Sequence, residues 1–236
     1  MTDPVYHVPW QNRLARAILR PSFRTLFHLL ARVKIVGREN VPATGAYLIA
    51  INHVSIFDPP FIIAFWPVCP EALGAIEIWS KPGQAPLARF YGGIPVHRNQ
   101  YDRQVINQML AVLNSGRPLV IAPEGERSHV PGLLPGQPGI AYAVDRAKVP
   151  VVPVGIVGTT EDFFQQAKGR IARPDRPLLE IRIGKPQMLP PISGSGAERR
   201  AARQYNVDRV MCMIAELLPE DYRGVYRDGY KTIHDI

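Results

Sequence analysis

Short apolar runs alternate along this chain with segments in which apolar residues recur every three or four positions. Apolar or alternating runs predict strands at residues 34–37, 46–51, 94–96, 118–122, 151–157 and 178–183. Helical spacing predicts helices at residues 57–64, 102–113, 139–146 and 197–217. Strands that alternate with helices predict an α/β fold, here a single domain with a mixed, largely parallel sheet flanked by helices.

The first 33 residues differ from the rest of the chain. Apolar residues recur at helical spacing from residue 10 to residue 33, which predicts one or two helices broken near Pro21. Seven basic residues and no acidic residue lie between Pro4 and Arg38. We interpret residues 1–33 as a basic amphipathic segment that binds a membrane surface, followed by the main domain over residues 34–236. A helix packed on the domain core is the alternative, and the two interpretations are compatible.

The charge of the chain indicates which kind of partner it binds. A net charge of +8 and a pI of about 9.7 favour anionic partners. Nucleic acid is disfavoured, because no zinc-finger or RNA-recognition signature is present and large apolar residues interrupt the basic run. No apolar stretch reaches the roughly 18–20 residues of a spanning helix. We therefore expect a protein that lies on an anionic membrane surface.

Cysteine and histidine positions give no support for a metal site. Cys69 and Cys212 lie far apart in sequence, and the histidines show no ligand spacing. No Gly-x-Ser-x-Gly elbow is present, which disfavours a serine hydrolase. We expect neither a metal nor a cofactor.

The strongest chemical signal is the segment from Asn52 to Asp58, at a predicted strand-to-helix junction. Four residues separate His53 from Asp58. Across a turn, the Asp58 carboxylate can bind one nitrogen of the imidazole, fix its tautomer and leave the other nitrogen free to take a proton. The alternative is a histidine that caps the helix, with Asp58 as an ordinary first-turn acid.

Three further blocks follow in order. The first, residues 92–98, combines a glycine turn and a short strand with Arg98, whose guanidinium suits a phosphate. The second, residues 123–128, contains Glu124, Gly125 and Arg127 after a buried strand. The third, residues 149–155, is a strand bounded by prolines.

These four blocks, in this order and spacing, resemble the glycerolipid acyltransferase family, the group of the lysophosphatidate and glycerol-3-phosphate acyltransferases. The resemblance covers residues 34–155. It implies that a fatty acyl group moves from acyl-CoA or acyl-carrier protein to the hydroxyl of a lysophospholipid, foremost 1-acyl-glycerol-3-phosphate. That reaction belongs to phospholipid biosynthesis at the cytoplasmic face of the membrane, where the protein would be peripheral or monotopic.

The resemblance also implies roles for individual residues. His53 would be the general base and Asp58 its orienting partner. Arg98 and Arg127 would bind the phosphate of the acceptor, and Glu124 and Gly125 would shape the acceptor pocket, with Glu124 holding an arginine. Residues 151–153 would line the acyl-chain side, unless they are simply a core strand.

The chain departs from the family pattern at three places. Ala122 stands where an aromatic residue is usual, Glu126 replaces a small hydroxyl residue, and a lysine expected near Gly139 is absent. A lysolipid with another headgroup therefore stays open as the acceptor. Two different functions also stay open, a thioesterase-like hydrolase and a non-catalytic lipid-binding module.

Overall fold

Helices and strands alternate along the chain in this computed structural model, which describes residues 6–97 and 103–229. The strands are β1 (Arg32–Val36), β2 (Leu48–Ile51), β3 (Glu71–Ala75), β4 (Ile94–Val96), β5 (Leu119–Ile121), β6 (Val151–Val157) and β7 (Leu178–Ile183). The helices are α1 (Trp10–Leu30), α2 (Asp58–Phe65), α3 (Gln84–Tyr91), α4 (Arg103–Asn114), α5 (Gly139–Ala147), α6 (Phe163–Ala167) and α7 (Gly196–Leu217).

Over the described residues the strands form one seven-stranded sheet in the order β1-β7-β6-β2-β5-β3-β4. Neighbouring strands are parallel except β6 and β7, which pair antiparallel. The α/β fold with a mixed, largely parallel sheet is therefore confirmed. The carboxyl ends of β2, β5 and β6 meet at one edge of the sheet, which is where loops commonly build a site.

Helices cover both faces of the sheet, which explains why its central strands are apolar without interruption. Leu48 and Ala50 of β2 pack towards the core formed with α4, α5 and α7. Ile49 and Ile51 of the same strand pack towards the core formed with α1, α2 and α6. A Cβ at Gly155 would lie 3.1 Å from the Leu217 Cβ, so this glycine lets α7 approach β6 closely.

The N-terminal helix is one continuous helix, and the predicted break at Pro21 is wrong. An interior proline costs a helix about 3 kcal/mol, and contacts with α2 offset this cost. Arg20 Nε donates to the Ile63 carbonyl at 3.0 Å, and Arg24 Nη2 donates to the Ala64 carbonyl at 2.8 Å. These carbonyls belong to the last turn of α2, where backbone acceptors lack helical partners.

The orientation of α1 places basic residues inward. Arg16 is buried, although the sequence pattern predicted arginines on a face towards lipid. The apolar side chains of Trp10, Leu14 and Ile18 point away from the domain and are 68%, 56% and 60% exposed. The packed helix and an outward apolar face thus occur together in α1. Among the described residues, none of the helices combines the length and the hydropathy that crossing a membrane requires.

Three elements were not predicted from the sequence pattern. The strand β3 begins with an acidic residue and contains glycine and alanine, which have low strand propensity. The helix α3 begins after Gly83 without a side-chain cap, and α6 has five residues. Tertiary contacts rather than local preference stabilise these elements.

Candidate active site

The turn that follows β2 is fixed by an asparagine side chain. The Nδ2 of Asn52 donates to the Ile156 carbonyl at 2.9 Å, and the Ile156 N–H donates to Asn52 Oδ1 at 2.7 Å. The Asn52 amide therefore continues the pairing between β2 and β6 past the last residue of the strand. This contact positions the next residue, His53, at the carboxyl edge of the sheet.

A fully buried carboxylate orients the His53 ring. Asp58 is the first residue of α2, where the helix dipole favours a negative charge. Its Oδ2 lies 2.8 Å from His53 Nδ1 and accepts the backbone N–H groups of Val54 at 2.7 Å and Ser55 at 2.8 Å. The hydroxyl of Thr159 donates to Asp58 Oδ1. Donors on both oxygens hold this carboxylate in one position.

The hydrogen bonds assign the tautomer of His53. Because the Asp58 carboxylate is an acceptor, the proton of the neutral ring lies on Nδ1 and the lone pair lies on Nε2. The His53 side chain is 17% exposed, so the ring reaches solvent-accessible space. The arrangement presents one nitrogen that can take a proton from a bound hydroxyl.

Ser55 has a structural role in this turn. Its side chain is fully buried, its hydroxyl donates to the Thr159 carbonyl, and its Oγ accepts the Phe57 N–H at 3.1 Å. A hydroxyl occupied in this way cannot approach a substrate carbonyl. The geometry therefore excludes Ser55 as a nucleophile.

Glu124 holds the backbone around His53. Its Oε1 accepts the His53 N–H at 2.7 Å and its Oε2 accepts the Leu134 N–H at 2.8 Å. The predicted contact between Glu124 and an arginine does not occur among the described residues, because backbone donors occupy both oxygens. Burial raises the pKa of Glu124 to about 7, against the two backbone hydrogen bonds, which lower it.

The loop after Glu124 lies beside His53. The Ser128 N–H donates to the His53 carbonyl at 2.9 Å. Gly125 has a φ of +75°, and a Cβ there would lie 3.0 Å from Gln137 Cγ, so both the turn and the space favour glycine. Arg127 is on this loop and its Nη1 lies 3.1 Å from Glu161 Oε1. The fourth predicted binding residue, Arg98, lies outside the described residues.

An apolar groove begins at His53. A first cavity of about 160 Å³ is lined by His53, Gly125 and Val96. A second cavity of about 160 Å³ extends between α1 and α3 and is lined by Phe23, Trp79 and other apolar residues. The two cavities share six lining residues, so they form one groove: Pro59, Ile63, Ala72, Leu73, Gly74 and Ile78.

The structure assigns other residues differently from the sequence pattern. Residues 151–153 are all buried and none of them lines the groove, so this segment belongs to the core. Thr159 and Glu161, which contact Asp58 and Arg127, were missed. Both follow β6 by a few residues, and the position after a buried strand at the carboxyl edge was the only sequence signal for them.

Comparisons with known proteins agree with this arrangement. The sequence profile of the family described as Acyltransferase matches residues 32–157, just over half of the 236 residues. The 1-acyl-sn-glycerol-3-phosphate acyltransferase alpha of Mus musculus is 27% identical over 173 residues, which are 70% of this chain and 56% of that protein. The Homo sapiens protein of the same name is 25% identical over 202 residues, which are 82% of this chain and 66% of that protein. The chain thus spans between about half and two thirds of the length of these relatives.

A solved structure shares the fold. The crystal structure of the 1-acyl-sn-glycerophosphate (LPA) acyltransferase PlsC from Thermotoga maritima superposes with a TM-score of 0.59 and 23% identity. The superposition covers 84% of this chain and 79% of that chain. The profile match includes His53, Asp58, Glu124 and Arg127. This chain therefore belongs to the acyltransferase family, the group that its four motif blocks resemble.

Proposed function

We propose that the chain is an O-acyltransferase that moves a fatty acyl group from a thioester donor to the hydroxyl of a lysophospholipid. The observation that carries the proposal is the position of His53, oriented by Asp58 at 2.8 Å, at the inner end of an apolar groove. An aligned base next to a groove for an alkyl chain is what acyl transfer to an alcohol needs.

The proposed reaction uses the free Nε2 of His53. It takes the proton of the acceptor hydroxyl as that oxygen forms a bond with the thioester carbonyl carbon. The tetrahedral intermediate then breaks its carbon–sulfur bond, and the sulfur leaves with the proton that His53 accepted. Asp58 stabilises the imidazolium that forms between the two proton transfers. Acyl-CoA and acyl-carrier protein are the donor classes that supply such a thioester, and no other cofactor is needed.

The groove supports an assignment of the two substrates. Apolar residues line it from His53 to the space between α1 and α3, so the alkyl chain of the donor would lie there with its carbonyl at His53. The acceptor would approach over Gly125 and Arg127. For a phosphate headgroup, Arg127 would exchange its contact with Glu161 for the phosphate oxygens. The acceptor named in the relatives, 1-acyl-glycerol-3-phosphate, carries such a phosphate.

The proposed position is peripheral, at the cytoplasmic face of an anionic membrane, and the exposed apolar side chains support the peripheral attachment. The helices α1 and α3, which line the end of the groove away from His53, also carry exposed apolar side chains, namely Trp10, Leu14, Ile18, Leu87 and Phe90. Side chains of this kind partition into the boundary between headgroups and acyl chains. A lipid substrate could then enter the groove without crossing water.

The test is an acyl-CoA assay against a panel of lysolipids, with products identified by mass spectrometry. We expect His53→Ala to lower turnover by about 10²–10⁴-fold, while the exposed His7→Ala variant serves as the matched control. Full activity in His53→Ala would contradict the mechanism. Release of free fatty acid without any acceptor would indicate a hydrolase, and no turnover with any lysolipid would indicate a lipid-binding module.

A further inference from the structure

A cavity separate from the groove lies at the edge of the sheet opposite His53. His53 and Glu124 follow the carboxyl ends of β2 and β5, whereas Arg117 precedes the amino end of β5 and Cys69 precedes that of β3. Together with one face of α1, these two residues line a cleft of about 440 Å³. We call it the arginine cleft.

The arginine cleft is strongly basic. Five arginines line it, namely Arg13, Arg16, Arg20, Arg24 and Arg117, and no acidic side chain is among its described lining residues. One carboxylate lies beneath these arginines. Glu71 is fully buried and forms ion pairs with both Arg16 and Arg117. Five guanidinium groups against one carboxylate leave a surplus of positive charge in a concave site, which favours an anion.

Several of these guanidinium groups are fixed before any ligand binds. Arg16 donates to both oxygens of Glu71 at 2.8 and 2.6 Å, and Arg20 and Arg24 donate to carbonyls at the end of α2. The Nη1 groups of Arg20 and Arg24 donate to none of these carbonyls. Guanidinium groups that are already held in place and still have N–H groups available are well suited to bind phosphate oxygens.

The surroundings of the cleft indicate which kind of anion fits. The helix α1 presents Arg13, Ala17 and Pro21 to the cleft and the exposed side chains of Leu14 and Ile18 on the adjoining stripe. A ligand in the cleft would therefore have apolar side chains beside its charged group. A phospholipid has this combination, whereas a free phosphate has only the charged part.

We propose that the arginine cleft binds the phosphate of an anionic phospholipid, at a site separate from the substrate groove. The lipid is a docking ligand: its phosphate contacts the arginines, and its acyl chains lie along the apolar stripe of α1. Bound there, it would fix the rotation of α1 on the membrane. Binding requires neither His53 nor an acyl donor.

The test measures vesicle affinity of the full chain. Arg13 is exposed and α1 is held by other residues, so Arg13→Gln leaves the fold intact. We expect Arg13→Gln to weaken binding to phosphatidylcholine vesicles containing phosphatidylglycerol at least tenfold, and to leave binding to pure phosphatidylcholine unchanged. The matched control is Arg200→Gln, an exposed arginine on α7 at the other face of the sheet, with an expected change below twofold.

Three results would overturn the proposal. Equal losses in Arg13→Gln and Arg200→Gln would mean that diffuse charge drives binding, and unchanged affinity in Arg13→Gln would mean that the cleft takes no part. Calorimetric binding of inorganic phosphate alone, with the same dependence on Arg13 and no effect on vesicles, would identify a free anion as the ligand. His53→Ala should retain full vesicle affinity, so this experiment stands apart from the test of acyl transfer.

Discussion

Single residues account for the alignment of His53. The spacing of His53 and Asp58 predicted their contact, because a strand-to-helix turn can fold the carboxylate back over four residues. The Thr159 hydroxyl that binds the other oxygen of Asp58 comes from a position 101 residues further along the chain. A contact of this kind follows from the order of strands in the sheet, which local sequence pattern does not specify.

We predict that Thr159→Val lowers kcat by about 10- to 100-fold, because one hydrogen bond to the buried Asp58 is lost and such bonds to charged groups contribute about 1.5–3 kcal/mol. The KM for the acyl donor should not change, since Thr159 does not line the groove. Thr159→Ser keeps the hydroxyl and should restore the rate. A Thr159→Ser variant as slow as Thr159→Val would show that the methyl group, and not the hydrogen bond, matters.

Elements with a strong apolar pattern were the predictable ones. The strands β6 and β7 and the helix α5 lie within one residue of their predicted positions, because burial determines both their sequence and their place. The strand β3 was not predictable, because its first residue is an acid that the fold buries completely. Its stability depends on partners that are distant in sequence: Tyr6, Arg16 and Arg117.

The ion pairs at the start of β3 lead to a prediction about stability. Glu71→Gln leaves the buried Arg16 without its counter-charge and should lower the free energy of unfolding by about 3–5 kcal/mol. The matched control is Glu180→Gln, because Glu180 is also buried but its partners Lys34 and Arg182 are partly exposed. There we expect a loss of at most about 1 kcal/mol. Chemical denaturation of both variants measures the difference, and equal losses would contradict a special role for β3.

The ion pair between Glu71 and Arg16 also affects how the stability of the fold depends on pH. Burial raises the pKa of Glu71, but the hydrogen bonds and charge of Arg16, with Tyr6 and Arg117, outweigh it and hold the pKa below its ordinary value. A carboxyl with a lowered folded-state pKa stabilises the fold above its unfolded pKa and loses that contribution as pH falls through the folded-state pKa. Glu71→Gln should therefore have a weaker dependence of stability on pH below about 4.5.

At the scale of the whole molecule, α1 and α3 both line the groove and carry exposed apolar side chains. The sequence predicted that the arginines of this segment face lipid, which is wrong for Arg16, because helical spacing alone does not show which stripe faces the domain. In the structure the arginines Arg16, Arg20 and Arg24 bind the protein and the apolar stripe faces outward. Because these arginines pack against the protein, the apolar stripe of α1 stays exposed and is available for contact with lipid.

We predict that replacing Trp10, Leu14 and Ile18 together with serine lowers partitioning onto neutral phosphatidylcholine vesicles by roughly 100-fold, at about 1 kcal/mol for each side chain. Neutral vesicles separate this effect from the charge of the arginine cleft. The control variant replaces Met188 and Val225 with serine, because these residues are similarly exposed but lie outside α1 and α3. Unchanged partitioning of the triple variant, measured by vesicle flotation, would place the membrane contact elsewhere.

The loop that carries Gly125 and Arg127 also fixes the main chain of His53 at two points. Glu124 accepts the His53 N–H, and the Ser128 N–H donates to the His53 carbonyl. If Arg127 binds the acceptor headgroup as proposed, headgroup selection and the alignment of His53 depend on the same loop. Grafting this loop from a relative to alter acceptor preference would disturb catalysis as well, unless Glu124 and Ser128 were transplanted with it. On this proposal, a change in substrate range has to keep the two residues that position the base.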